Sequence, residues 1–205
     1  ESATFSGPNS VNNVISRVTG GQPSTIDGLL RSTLPNADLY FLNPYGILFG
    51  PNAKLDVKAS FHASTADTLR FSDGSQFNAR RPSQSVLTVA PVEAFGFLTN
   101  TPAAITIENS ELSVPAGQTF SLIGGDLHLK GDSPVIFDSL GFAARFAGTK
   151  MAAASGRINL ASVASIGEII PREFELDLTG DGGTITANNT LIEVSGRGSG
   201  EVFIR

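Results

Sequence analysis

Apolar and polar residues alternate in short blocks along this chain, and turn residues punctuate the blocks. The organising stretch is 38–57. There, apolar runs at 39–42, 47–49 and 55–57 are separated by Asn43-Pro44-Tyr45-Gly46 and by Gly50-Pro51-Asn52. Each run is too short for a stable helix and long enough for a strand. Asn first, Pro second and Gly fourth are the preferences of a type I turn, and Pro44 also drives Asn43 into an extended conformation. Gly50-Pro51-Asn52 is a second turn signal. Three strands and two tight turns in about twenty residues make one coil of a β-helix.

The same pattern recurs on both sides. In 54–58, Leu55 and Val57 share one face while Lys54, Asp56 and Lys58 share the other, as in a half-buried strand. The alternation predicts that Leu55, Val57, Phe61, Ile105, Ile107, Leu127, Leu129, Ile158, Leu160, Ile185 and Val194 point inward. Val14, Ile15 and Val18 mark one early strand and 26–30 a second, with Gly20-Gly21-Gln22-Pro23 turning between them. Phe61, Leu69, Phe71 and Phe77 continue the apolar series, and 76–85, with Arg80, Arg81 and Pro82, reads as an exposed loop. The longest nearly apolar run is 86–98, where Pro91 and Gly96 predict two strands or one strand with an excursion. Further strands are expected at 119–122, 126–130, 157–160, 173–178 and 201–205. The alanines in 137–155 permit a short helix against the glycines at 141, 148 and 156, so a side excursion is expected there.

An internal match supports a solenoid. Residues 105–114 (ITIENSELSV) align without gaps to 185–194 (ITANNTLIEV), an offset of 80 residues. At about twenty residues per coil that offset predicts four coils, and the whole chain about nine, a rod on the order of 40 Å long.

Composition narrows the class. The chain has 205 residues, enough for a substantial core, and its 22 glycines among many Ser, Thr, Asn and Asp residues favour frequent turns. With Val, Ile, Leu and Phe as the main apolar residues, the mixture reads as all-β. The net charge is −5, with acids and bases interspersed, so there is no basic stripe of the kind that binds nucleic acid. No run approaches the length of a transmembrane helix. The absence of cysteine removes thiol catalysis, thiolate metal sites and disulfides, and is compatible with export.

Candidate chemistry is sparse. Asp126, His128 and Lys130 alternate with Leu127 and Leu129 on one outward face; they could form an acid–base or sugar-contacting cluster, against the simpler reading of a solvated strand face. His62 lies between Phe61 and Ala63 and matches no metal-ligand spacing, which points to a surface or partly buried structural histidine. Glu173, Glu175 and Asp177 alternate with Phe174, Leu176 and Leu178 and could offer oxygen ligands to Ca²⁺, but a strand lacks the loop that wraps a cation. Asp181-Gly-Gly183 resembles one fragment of a calcium-binding turn repeat. The 196–200 glycine cluster lacks the spacing of a phosphate-binding loop, and no nucleophile elbow is present. The expectation is no catalytic residue, no metal and no cofactor.

A family resemblance enters at Leu42-Asn-Pro-Tyr-Gly-Ile-Leu-Phe-Gly-Pro-Asn-Ala-Lys-Leu-Asp-Val57. This stretch resembles the Asn-Pro-Asn-Gly-Ile region of the filamentous haemagglutinin family, in its amino-terminal two-partner-secretion (haemagglutination activity) domain. The flanking Ile15-Ser-Arg-Val-Thr-Gly-Gly21 and Ser60-Phe-His-Ala-Ser-Thr-Ala66 agree, as do Leu112-Ser-Val-Pro-Ala-Gly-Gln118, Leu122-Ile-Gly-Gly125 and Gly156-Arg-Ile-Asn-Leu-Ala-Ser162. Tyr45 stands where the family usually has Asn. The resemblance implies a right-handed parallel β-helix with three short strands per coil and loop or short-helix excursions. It also implies the secretion domain of a surface exoprotein or adhesin, recognised by an outer-membrane β-barrel transporter through periplasmic POTRA modules and nucleating β-helix folding. Asn43, Pro44, Tyr45, Gly46 and Ile47 are then the expected secretion motif and recognition residues. The implied protein is secreted to the bacterial cell surface after periplasmic transit, where it could meet a host or neighbouring-cell receptor or glycan. Against the family pattern, residues 1–205 read as one β-helical secretion domain, a fragment without the amino-terminal cap and the downstream repeats. The missing part could be supplied by a complementary amino-terminal fragment. The alternatives are a β-helical polysaccharide lyase or hydrolase, which needs clustered carboxylates in a groove, and a passive carbohydrate-binding rod.

Overall fold

The structure is a computed structural model that describes residues 1–132 and 148–205, together with the backbone of 136–137 and 143–145. Because the apolar runs are three to six residues long and end at turns, the chain coils. The first two coils comprise β1 (Ser2–Phe5), β2 (Asn13–Arg17) and β3 (Ser24–Ile26), then β4 (Leu29–Ser32), β5 (Asp38–Leu42) and β6 (Ile47–Phe49). The third has β7 (Lys54–Asp56) and β8 (Phe61–Ser64). It closes only after an insert of β9 (Thr68–Phe71), β10 (Gln76–Asn78) and β11 (Val92–Phe97), with β12 (Ile105–Glu108). The fourth is β13 (Glu111–Val114), β14 (Thr119–Gly124) and β15 (Leu127–Lys130). Next come β16 (Ile136–Phe137) and β17 (Ala143–Arg145), an antiparallel pair. The fifth coil is β18 (Thr149–Ala153) and β19 (Arg157–Ser162), a second insert of β20 (Gly167–Pro171) and β21 (Leu176–Thr179), and β22 (Ile185–Asn188). β23 (Thr190–Glu193) and β24 (Glu201–Ile204) begin the sixth.

Like strands stack in register into parallel walls. One wall has six strands, β2-β5-β8-β14-β19-β24, and another has five, β3-β6-β12-β15-β22. The third is made of β1-β4-β7 and β13-β18-β23, with β13 lying against β7. This is the all-β parallel β-helix the pattern predicts. All eleven residues predicted to point inward belong to its core or pack against it. Full burial of such a side chain contributes roughly 1.5–3 kcal/mol, and the partly buried Leu55, Ile185 and Val194 contribute less. Along the six-stranded wall the inward column contains Leu39, Phe61, Phe120 and Ile158, and the Phe61 and Phe120 rings meet edge to face at 5.7 Å.

A second core lies outside the rod. β10-β9-β11-β20-β21 form an antiparallel sheet, and its Leu69, Phe71, Phe77, Phe95, Phe97 and Ile169 pack with Tyr40, Leu42, Ile123 and Ala161 from the outward side of the six-stranded wall. Leu69, Phe71 and Phe77 therefore continue a different core from that of Phe61. This also explains why residues 39–42, 61–64 and 120–124 are buried at every position: a strand covered on both faces has no solvent-exposed side.

Several expectations are corrected. The 80-residue match spans two coils, not four, because Ile105 pairs with Leu127 and Leu127 with Ile185; the β20–β21 insert and the 131–148 segment take up the remaining length. Six stacked strands replace the nine coils, so the widest wall spans about 24 Å at the usual strand spacing. The predicted strand at 26–30 is two strands around a corner at Asp27-Gly28, where the Asp27 carboxylate accepts hydrogen bonds from the Asn52 backbone N–H (2.8 Å) and side chain (3.0 Å). Within 76–85, residues 76–78 are a strand with buried Phe77 and Asn78, and the rest is loop around a short 3-10 turn. The 86–98 run resolves into exposed Val86, Leu87 and Val89 followed by strand β11. In 137–155, residues 149–153 form a rod strand rather than helix or excursion. The part of that expectation on 138–142 and 146–147 lies outside the described residues. The only helical turn among the described residues is the short 3-10 segment Pro82–Gln84.

Candidate functional site

The Asn43–Gly46 corner sits between β5 and β6 in the second coil and holds three coils together. The Gly46 N–H donates to the Asn43 carbonyl at 3.1 Å, closing the turn. The Asn43 side-chain oxygen accepts the Tyr45 N–H at 2.9 Å, and its amide donates to the Gln22 carbonyl (2.9 Å) and to Ser24 Oγ (2.8 Å) of the first coil. The Asn43 backbone N–H reaches the Ser64 carbonyl of the third coil at 3.0 Å. A fully buried Asn is tolerable because these bonds occupy both ends of its amide. Gly46 has φ +121°, a backbone conformation that side chains disfavour, while a Cβ there would find ordinary contacts at 3.5 Å or more; the backbone angle, not crowding, calls for glycine. Ile47 turns into the rod core, 2% exposed, in register with Ser24 and Ile105.

The five residues singled out by sequence therefore lie together, but unequally. Asn43, Pro44, Gly46 and Ile47 are buried, and Tyr45 alone is half-exposed. The Tyr45 ring is covered on one side by the Arg80 guanidinium, 4.7 Å from its centroid. Arg80 also donates to the Pro44 carbonyl at 3.1 Å and forms an ion pair with Asp67. Asp67 is 1% exposed, and its second oxygen accepts the Leu98 N–H at 2.7 Å. Sequence reading missed Arg80, Asp67 and Leu98. They come from the insert, and nothing local to 65–98 marks them as neighbours of the corner.

The other candidates resolve into structure. Asp126 accepts the Thr184 N–H at 2.9 Å, His128 Nδ1 lies 3.0 Å from Thr186 Oγ1, and Lys130 pairs with Glu108 at 3.5 Å. These contacts brace adjacent strands and leave no convergent acid–base set. His62 is buried rather than at the surface; it lies flat on Tyr40, with Nδ1 2.9 Å from Ser121 Oγ. Burial pushes its pKa down to about 4, against a weak upward pull from Asp38. Glu173 and Glu175 fall in the β20–β21 turn, not on a strand face, and Asp177 pairs with Arg172. Asp181 belongs to a turn, its backbone N–H bonded to Ser165 Oγ at 2.8 Å. Among the described residues no group of three or more His, Cys, Asp or Glu side chains is placed to hold a metal ion, and no helix is long and apolar enough to cross a membrane.

A family model described as the TPS secretion domain matches residues 1–202. No curated protein and no solved structure matches the chain.

Proposed function

The chain belongs to the TPS secretion domain family, and on that premise we propose that an outer-membrane β-barrel transporter recognises it through periplasmic POTRA modules and that it nucleates β-helix folding. Membership makes the chain part of a two-partner-secretion exoprotein of the haemagglutinin type. The finer reading is that it crosses the periplasm, meets the transporter at the Asn43–Ile47 corner, and templates the coils that follow outside the cell. The observation that carries this reading is the corner itself: four buried residues, bonded into three successive coils, present one half-exposed tyrosine. Such an arrangement needs no reorganisation on binding. Each interior strand of the six-stranded wall takes backbone partners from the coils on both sides, so a formed coil offers its neighbour a ready edge.

The test is binding of the purified domain to the isolated POTRA modules of its own transporter, alongside secretion of the full exoprotein and thermal melting. Tyr45→Ala is expected to weaken binding about tenfold and to lower secretion while the melting transition stays in place. Wild-type binding by Tyr45→Ala would remove the corner from recognition. The Asp126–His128–Lys130 face, occupied by bonds within the rod, gives no support to the lyase or hydrolase reading.

A further inference from the structure

The turn motif is one side of a larger surface. Tyr45 belongs to the rod, whereas Arg80 and Leu98 belong to the insert that forms part of the antiparallel sheet. One buried carboxylate ties all three together. Asp67 holds Arg80 through one oxygen and the Leu98 N–H through the other, and its own N–H and carbonyl are bonded to Gly96 and Ala79. Its position is therefore set from both ends of the insert. Arg80 in turn covers the Tyr45 ring and donates to the Pro44 carbonyl. The outcome is a half-exposed aromatic ring, a guanidinium whose side chain is 31% exposed and an apolar residue 57% exposed, all fixed to one anchor.

We propose that the transporter's POTRA modules recognise this composite Tyr45–Arg80–Leu98 surface, with Asp67 and Arg80 acting as positioning residues for the Tyr45 ring. The proposal rests on transporter recognition at the corner and enlarges it. Three features support a protein partner here. Tyr and Arg are the residues that concentrate binding energy in protein interfaces when they are rigidly held. The guanidinium is already partly neutralised by Asp67, so covering it removes less solvation than burying a free charge. Arg80 keeps one face of the Tyr45 ring occupied, which narrows the orientations a partner must select. Recognition would then read the rod and its insert at once, and only a domain with both units docked would be accepted.

The experiment measures Kd for the isolated POTRA modules and the melting transition of the intact domain for Tyr45→Ala, Arg80→Ala, Arg80→Lys, Leu98→Ala, Asp67→Asn and the Tyr45/Arg80 double variant. Leu98→Ala is expected to weaken binding about fivefold or more without moving the melt, whereas Arg80→Ala leaves the buried Asp67 carboxylate unpaired and should lower the melt while weakening binding by more than that loss of stability accounts for. Arg80→Lys should recover part of the loss, since it restores charge but not the flat stack. The double variant should bind more tightly than the product of the two single effects requires, because losing Arg80 already frees the ring. If Tyr45→Ala weakens binding while Arg80→Ala and Leu98→Ala bind as wild type, the composite surface is wrong and recognition at the corner stands. If all three bind as wild type, both readings fall. Should Arg80→Ala lose affinity only in step with a lowered melt, without recovery in Arg80→Lys, its role is structural and the proposal fails. Asp67→Asn distinguishes positioning from contact: it is expected to weaken binding although its side chain is buried away from any partner.

Discussion

The His62 ring lies on the Tyr40 ring with centroids 4.4 Å apart and planes inclined by 15°. The pair sits on the outward side of the six-stranded wall, where Ser121 and Phe95 close it in and Asp38 is the charge that acts on both rings. Burial holds the histidine pKa near 4 and pushes the Tyr40 hydroxyl above its ordinary value, so both rings are neutral when folded. The folded histidine pKa lies below its unfolded value of about 6.5. Its contribution is therefore complete above about pH 6.5 and is lost as pH falls toward 4, because the unfolded chain takes a proton that the folded one refuses. The slope is about 1.4 kcal/mol per pH unit, or roughly 3 kcal/mol across the window. Urea midpoints should fall between pH 7 and pH 4.5. His62→Phe, which keeps an aromatic ring on Tyr40 and leaves Ser121 Oγ bonded to Asn159, should flatten that fall. An equally steep fall in the variant would assign the acid sensitivity elsewhere.

Leu127→Ala tests the rod core. Leu127 is fully buried in register between Ile105 and Ile185, at the centre of a column that cannot close over a void without shifting two coils. A loss of about 2–5 kcal/mol is expected, read as a lower denaturation midpoint at unchanged slope. An unmoved midpoint would mean that the column does not carry stability.

At the corner, Asn43→Ala removes three side-chain hydrogen bonds made by a fully buried amide, which should destabilise the domain by about 1–3 kcal/mol. Gly46→Ala should cost roughly 1–3 kcal/mol because its φ is +121°. Both residues are buried, so secretion by these variants should fall only as far as stability does. A secretion loss without a change in melting would show that the corner is read in some other form than the folded one.

The segment before β11 offers the opposite case. Val89 is 99% exposed and Leu87 77% exposed, so replacing both with Ser should change stability by less than about 0.5 kcal/mol. A larger drop in the denaturation midpoint would indicate that these side chains are covered in solution.

What could be read from sequence, and what could not, differ in range. Turn chemistry and two-residue alternation act over a few neighbouring residues, and they located the Asn43–Gly46 corner, the strands around it and the inward residues from Leu55 to Val194. The internal match also had a local cause: Asn109 and Asn189 both adopt positive φ, 50° and 48°, at the corner that follows β12 and β22, and each side chain bonds into the 130–132 stretch of the intervening coil. A shared corner leaves that mark on sequence, whereas the number of coils between two such corners does not. The second core left a partial signal in the unbroken run at 39–42, since a strand buried on both faces loses its alternation, but none at 61–64, where Phe-His-Ala-Ser still alternates. Which element covers that face was decided only by tertiary structure. The same holds for Arg80, 36 residues beyond the Pro44 carbonyl it reaches and fixed there by Asp67. Backbone angles and side-chain alternation are set by immediate neighbours, whereas the docking of an insert depends on contacts that exist only once separate coils have been stacked.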